Sequence, residues 1–308
     1  MTITIAAIGC SGPVASVYIQ GFLAHQTEDV RIRLLTRRPK EFPEGVELVL
    51  GSMMNPDDVA SAMEGVDAAF VLTPMSTCNQ TQPEVDAAKA VIAGAQKAQL
   101  KHLIYTSVLG ADHPRPRVGI LNAKYEIETL LRHSNLSCSI LRCGTYMQDA
   151  IDPRIELLNK GIYLFPIRKD ARICYTCQKD VSRFVLQELL IPHKILSKPL
   201  NFTRAQSYSV AQVEDCLSAA SGHTIRAVPK FPAFYLFQAA LPIYNWQHHR
   251  FSSVIPLLVH FDQHGYTCDD DDDDDPDTTT TTASLVEETF PHFSMTTLEE
   301  HLASLWAQ

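Results

Sequence analysis

The stretch IAAIGCSGPVAS, residues 5–16, constrains the fold more than any other part of the chain. An apolar run meets Gly9, then Gly12, then the small Ala15, at even spacing. A strand that ends in a glycine turn and enters a helix is the opening of a βαβ unit. The same alternation continues downstream. VRIRLLTR (30–37), VELVLGS (46–52), DAAFVLTP (67–74), KHLIYTSVLG (101–110) and SCSILRCG (137–144) read as strands. PVASVYIQGFLAH (13–25), PEVDAAKAVIAGAQKAQ (83–99) and LNAKYEIETLLRHS (121–134) read as helices. NPDDVASAMEG (55–65) carries its own punctuation: Asn55 as cap, Pro56 first, acids in the first turn and Gly65 at the stop. The pattern predicts an α/β fold, a Rossmann-like doubly wound parallel sheet with helices on both faces. In such sheets ligands bind at the carboxyl ends of the strands. Those ends are 9–15, 36–38, 51–53, 72–75, 106–110 and 144–147.

Composition excludes several classes. With 308 residues and 45% hydrophobic content the chain has ample length for a core. No apolar run approaches the roughly 20 residues of a membrane helix. FPAFYLFQAALPIYNW (231–246) is the most apolar stretch, but prolines interrupt it, and it reads as an apolar wall or a subunit contact. The start enters a strand directly, with neither a basic segment nor a cleavage site, so no signal peptide is expected and the expected location is cytoplasmic. The net charge is −9, but seven acids form one block, Asp269–Asp275. Without that block the balance is about −2, far from the basic footprint of a nucleic-acid binder. The block sits in CDDDDDDDPDTTTTTAS (268–284), which has no apolar face to bury and reads as a disordered loop. It lacks the spaced, glycine-bearing ligand pattern of a calcium loop. The eight cysteines are irregularly spaced. Cys174 and Cys177 form a lone C-x-x-C in the strand-like RICYTC, with no second pair nearby, so they read as buried thiols rather than a metal or redox site.

The strand ends nominate a nucleotide site. Gly9 permits a tight turn, Gly12 lets backbone approach a diphosphate, and Ala15 allows close helix packing, with Ser11, Pro13 and Val14 completing the turn. An NAD-preferring site places an acid near the end of the second strand. LLTRRP places Thr36, Arg37 and Arg38 there instead, and guanidinium groups suit a 2′-phosphate. The expected cofactor is therefore NADP(H). Ser52, Met53, Thr73 and Pro74 lie at the next two strand ends and are expected to touch it.

These stretches, with GVELVLGSMMNPDDVASAMEGVDAAFVLTP (45–74), HLIYTSVLGA (102–111), NAKYEIETLLRHSNLSCSILRCGTYMQD (122–149) and the KDV turn (179–181), resemble the NmrA-like family. These are atypical members of the short-chain dehydrogenase/reductase superfamily, related to isoflavone reductases. The resemblance covers most of the chain. It implies an NADP-binding Rossmann core, placed at 1–150, and a smaller C-terminal α/β substrate region, 151–308, interleaved with the core. Family members include reductases of small carbonyl or aromatic substrates and regulators that sense the cofactor without catalysis. This chain departs from the pattern at Ala15 (a third glycine), at Ser52 (an acid near the adenine) and at Cys143 (a proline).

The superfamily's usual site has a serine, and a tyrosine four residues before a lysine. Lys124 fits the lysine and Ser107 the serine, but Ile120 stands where the tyrosine would be. Tyr125 is adjacent to Lys124, and on a helix the next residue points about 100° away. Three readings follow. Lys124 acts alone as general acid/base, desolvated so that it titrates near neutrality, helped by Tyr146 in positioning the substrate; its alternative is a surface lysine on an amphipathic helix. Or the fold does non-redox work, as an isomerase or cyclase rearranging an epoxide or similar intermediate. Or the protein is an NADP-sensing regulator. The first is the expectation: reduction of a hydrophobic or aromatic small molecule, of the kind met in secondary metabolism, by a monomer or homodimer, with no metal. The C-terminal stretch 231–261 supplies apolar residues for such a pocket. His248, His249, His260 and His264 have no metal-ligand spacing.

Overall fold

A computed structural model describes residues 2–12, 15–25, 30–39, 41–73, 81–115, 118–165, 167–190, 194–228, 251–268 and 286–307. Pro13, Val14, Pro74, Cys78, the 231–246 stretch, His248, His249 and the aspartate block lie outside the described residues.

The first half builds β1 (Ile3–Ile8), α1 (Ser16–His25), β2 (Val30–Thr36), β3 (Val46–Leu50), α2 (Pro56–Met63), β4 (Ala68–Val71), α3 (Gln82–Lys97), β5 (Leu103–Val108), α4 (Gly119–Arg132) and β6 (Cys138–Cys143). A short β7 (Thr145–Tyr146), α5 (Met147–Ala150), α6 (Ile155–Leu158), β8 (Ile162–Tyr163) and β9 (Arg172–Thr176) follow. Next come α7 (Gln178–Phe184), which continues as a π-helical segment (Val185–Leu190), β10 (Leu200–Phe202), β11 (Ser207–Ser209), α8 (Val210–Ser221) and β12 (Arg226–Ala227). The chain closes with α9 (Phe251–His264), α10 (Val286–Thr289) and α11 (Leu298–Trp306).

The central sheet has the order β10-β6-β5-β4-β1-β2-β3, and every pairing in it is parallel. The order reverses between β1 and β4, which is where a doubly wound sheet opens a crevice for a ligand. The seventh strand, β10, comes from the C-terminal half and pairs with β6 as Leu200↔Leu141 to Phe202↔Cys143. A three-residue strand was not legible as a sheet member, because it shows neither alternation nor a long apolar run.

Both faces of the sheet are covered. Ile5 and Ala7 of β1 face one apolar cluster, with Tyr18, Phe22, Phe184 and Phe202. Ala6 and Ile8 face the other, with Val59, Val85, Tyr105 and Ile127. This two-sided burial is why β1 reads as a continuous apolar run. The helices α1 and α7 pack together on the first face, and α2, α3 and α4 on the second. A third cluster, around Tyr163, Tyr175, Leu217 and Leu302, is the core of the C-terminal half.

Local signals set the helix ends. The Asn55 side chain accepts from the Asp57 amide at 3.0 Å, Pro56 opens α2, and Gly65 adopts φ +66°. Cys174 and Cys177 are buried free thiols on and beside β9.

Candidate functional site

Gly9 ends β1 with φ +80°, and a Cβ there would stand 1.8 Å from the Leu72 carbonyl oxygen. Leu72 in turn donates its amide to Ile8 at 3.0 Å. Only glycine permits this turn to lie so close to the end of β4. Gly12 is the opposite case. A Cβ there would meet none of the described atoms within 4 Å. Its carbonyl accepts the Ser16 amide at 2.8 Å, so it opens α1 directly. Backbone open to solvent at a helix N-terminus suits an anionic group such as a diphosphate.

At the end of β2, Thr36 is buried and its hydroxyl donates to the Arg38 carbonyl at 3.1 Å. That bond fixes the turn while Arg37 and Arg38 themselves are exposed. At the end of β3, the Gly51 amide donates to the Thr36 carbonyl at 2.9 Å. Ser52 and Met53 are half-buried there. A carboxylate does stand beside this turn, but from α2: Asp58 accepts the Ser52 amide at 2.8 Å. Gly51 leaves room for it, since a Cβ would come 2.7 Å from the Asp58 Cβ.

Lys124 lies on the inner face of α4, 4% exposed, which rules out the surface alternative. It donates to the Thr73 hydroxyl at 2.9 Å and the Tyr105 hydroxyl at 3.1 Å, and its Nζ is 3.0 Å from a Glu84 carboxylate oxygen. Burial alone would depress its pKa, as expected for a lysine titrating near neutrality. The Glu84 carboxylate and the Tyr105 hydroxyl outweigh burial and hold the ammonium above the ordinary lysine range. The expectation of a near-neutral lysine is therefore corrected.

Ser107 is buried and donates to Glu128 at 2.6 Å. Glu128 is also gripped by Arg142, through Nε at 3.0 Å and Nη2 at 2.7 Å. The Ser107 hydroxyl is thus engaged with a carboxylate of α4. Tyr146 belongs to the cluster on the other face of the sheet. Its ring meets Tyr18 edge-on, with centroids 6.0 Å apart. Burial, then Cys143 and Tyr18, push its hydroxyl well above the usual tyrosine range. Of the three nominated catalytic residues, Lys124 is joined directly to a strand-end cofactor candidate, Thr73. Ser107 is bonded to Glu128, and Tyr146 packs on Tyr18.

Tyr125 points away from Lys124, onto a surface groove it shares with Pro114, Asn122, Glu126 and Thr129. His260 and His264 lie side by side on α9 with ring centroids 4.9 Å apart and planes tilted by 35°. Among the described residues no three His, Cys, Asp or Glu side chains gather as metal ligands, and no helix is long and apolar enough to cross a membrane. Sequence reasoning missed Glu84, Tyr105, Glu128 and Arg142. Their one signal was charge or a hydroxyl at positions whose period faces the core.

Comparison with known proteins places these observations. Residues 1–299 match the NmrA-like family, and the chain belongs to it. An NAD(P)H azoreductase of Xenophilus azovorans is 27% identical over 185 residues, 60% of this chain and 62% of that protein. The matches span less than two thirds of the length of the curated relatives. The fold is that of an NADPH-dependent quinone oxidoreductase from Escherichia coli solved with NADPH, at TM-score 0.72, 19% identity, and 98% and 99% coverage of the two chains. A triphenylmethane reductase of Citrobacter sp. solved with NADP(H) aligns at TM-score 0.72 and 16% identity, with the same coverage.

Proposed function

We propose that this member of the NmrA-like family is an NADPH-dependent reductase of hydrophobic aromatic or quinoid small molecules. The observation that carries the reading is the pair of exposed arginines, Arg37 and Arg38, fixed by Thr36 at the end of β2, next in sheet order to the glycine turn of β1. In this reading Gly9, Ser11, Gly12, Pro13 and Val14 hold the diphosphate, and Thr36, Arg37 and Arg38 take the 2′-phosphate. Ser52 and Met53 border the adenine, and Thr73, Pro74 and Lys124 hold the nicotinamide side. When bound, NADPH supplies a hydride.

The chain's own residues then have modest work. A charged Lys124 sets a fixed positive charge at the carboxyl end of β4; its three N–H groups already face Glu84, Thr73 and Tyr105, so it acts on cofactor and acceptor through its charge. No tyrosine stands at position 120, where Ile120 is buried. Acceptors that take a hydride at carbon without a proton from a neighbouring side chain fit this best. A triphenylmethane dye cation, which gains only a hydride at its central carbon, meets this outright; the quinone and azo acceptors in the names of other similar proteins need a proton as well, which in this reading comes from water.

The engagement of Ser107 by Glu128 and of Lys124 by Glu84 favours a second reading, an NADP-binding regulator that does not catalyse. The two are separated by following NADPH absorbance with a quinone, an azo dye and a cationic triphenylmethane dye. Oxidation that depends on acceptor and weakens at least tenfold in Lys124→Ala supports the reductase. NADPH binding without turnover of any acceptor class supports the regulator.

A further inference from the structure

Glu84 is not among the residues assigned above to cofactor or substrate, yet it is among the most enclosed charged side chains, 1% exposed. It comes from the first turn of α3 and joins a closed ring of four side chains drawn from four places in the fold. Its carboxylate lies 3.0 Å from Lys124 Nζ of α4 and accepts the Thr73 hydroxyl, just past β4, at 2.8 Å. Thr73 shares a 3.0 Å hydrogen bond with the Tyr105 hydroxyl of β5. Lys124 donates to both hydroxyls, at 2.9 and 3.1 Å. A lone buried ammonium tends to shed its proton, and a carboxylate within hydrogen-bond reach opposes that loss.

The other ionisable groups around Lys124 do not compete for it. On its own helix, Glu128 is held by Arg142 of β6 and by Ser107 of β5. Cys143 of β6 is a buried thiol whose pKa burial pushes up to about 12, so it brings no charge near neutral pH. Tyr105 is likewise pushed up by burial, against the pull of Lys124.

We infer that Glu84 is a positioning residue that keeps Lys124 a fixed cation at the carboxyl end of β4, acting by charge and hydrogen bonding and never as a proton donor. The consequence for turnover rests on the reductase reading; the charge lock itself does not.

The test uses the full chain with lysines labelled with carbon-13 at Cε, the Lys124 signal being assigned by its loss in Lys124→Arg. In the wild type the Lys124 signal is expected to stay unshifted past the pH where surface lysines titrate, about 10.4. A wild-type midpoint at or below that value overturns the inference without any variant of Glu84. Glu84→Gln keeps an acceptor for Thr73 and removes the charge. Its Lys124 midpoint is expected to fall by more than about 2 pH units, within the range burial imposes on an uncompensated lysine. Glu84→Asp is expected to restore most of the wild-type value. An unchanged midpoint in a folded Glu84→Gln overturns the inference. If turnover occurs, the wild-type kcat is flat across neutral pH and Glu84→Gln gains a descending alkaline limb. If NADPH does not bind, the reductase reading fails while the lysine titration still judges Glu84.

Discussion

The two glycines of the β1–α1 turn are predicted to fail in opposite ways when each is replaced by alanine. At Gly9 the backbone has φ +80°, which costs a residue with a Cβ about 1–2 kcal/mol. The new Cβ would also stand 1.8 Å from the carbonyl oxygen of Leu72, a residue whose amide is tied to the Ile8 carbonyl at the end of the β1–β4 pairing. The end of β4 must move, so Gly9→Ala is expected to lose about 4 kcal/mol or more. At Gly12 no described atom lies within 4 Å of the new Cβ and φ is not in the left-handed region. Alanine there reduces unfolded-state freedom, worth about 0.4–1 kcal/mol in favour of the fold. For a chain of this size that is a rise of a few degrees in Tm at most. The same methyl group enters the space where a diphosphate would approach the backbone. Gly12→Ala is therefore expected to weaken NADPH by at least about tenfold, or about 1.4 kcal/mol. Thermal unfolding without ligand and nicotinamide fluorescence titration read the two effects separately. A Gly12→Ala protein that melts well below the wild type, or one that binds NADPH as tightly as the wild type, would refute the reasoning.

Two further outcomes concern buried charge. Arg142→Met strands Glu128, whose side chain is 0% exposed, with Ser107 and the partly exposed Arg132; urea unfolding should show a loss of about 3–5 kcal/mol, and the double variant Glu128→Gln/Arg142→Met a smaller one. Asp149, three residues after Tyr146, is raised from 3.8 to about 6 by burial and then by Asp152, against Arg154. Its folded pKa lies above its unfolded one, so its stabilising contribution is present below about pH 4 and is lost as pH rises through about 6. Asp149→Asn should therefore gain about 1–2 kcal/mol at pH 8 and flatten the stability curve between those values. An Asn variant no more stable than the wild type at pH 8 would contradict the sign.

What was legible in the sequence was what is encoded locally. The β1–glycine–α1 passage, the alternation of strand and helix, and the Asn55–Pro56 start of α2 each depend on residues adjacent in the chain. The strand ends then follow, because a parallel sheet puts all of them on one edge. The Lys124 ring was not legible in full. Thr73 and Lys124 were nominated singly, but Glu84 looks like an ordinary first-turn acid of α3 and Tyr105 like a strand aromatic. Only the packing of α3 and α4 on β5 makes them neighbours. For the same reason Ser107 could be nominated while Glu128, which accepts its hydroxyl, and Arg142, which holds Glu128, could not. The substitution of Ser52 for an acid also acquires a physical reading only in three dimensions, since Asp58 reaches the same turn from α2.

The most direct test of the proposed cofactor is a side-by-side titration of the purified chain with NADPH and NADH, read by nicotinamide fluorescence. The arginine-flanked site predicts micromolar NADPH binding with at least about tenfold preference over NADH, a preference lost in Arg37→Ala/Arg38→Ala. Equal affinity for the two nucleotides, or binding of neither, would contradict it.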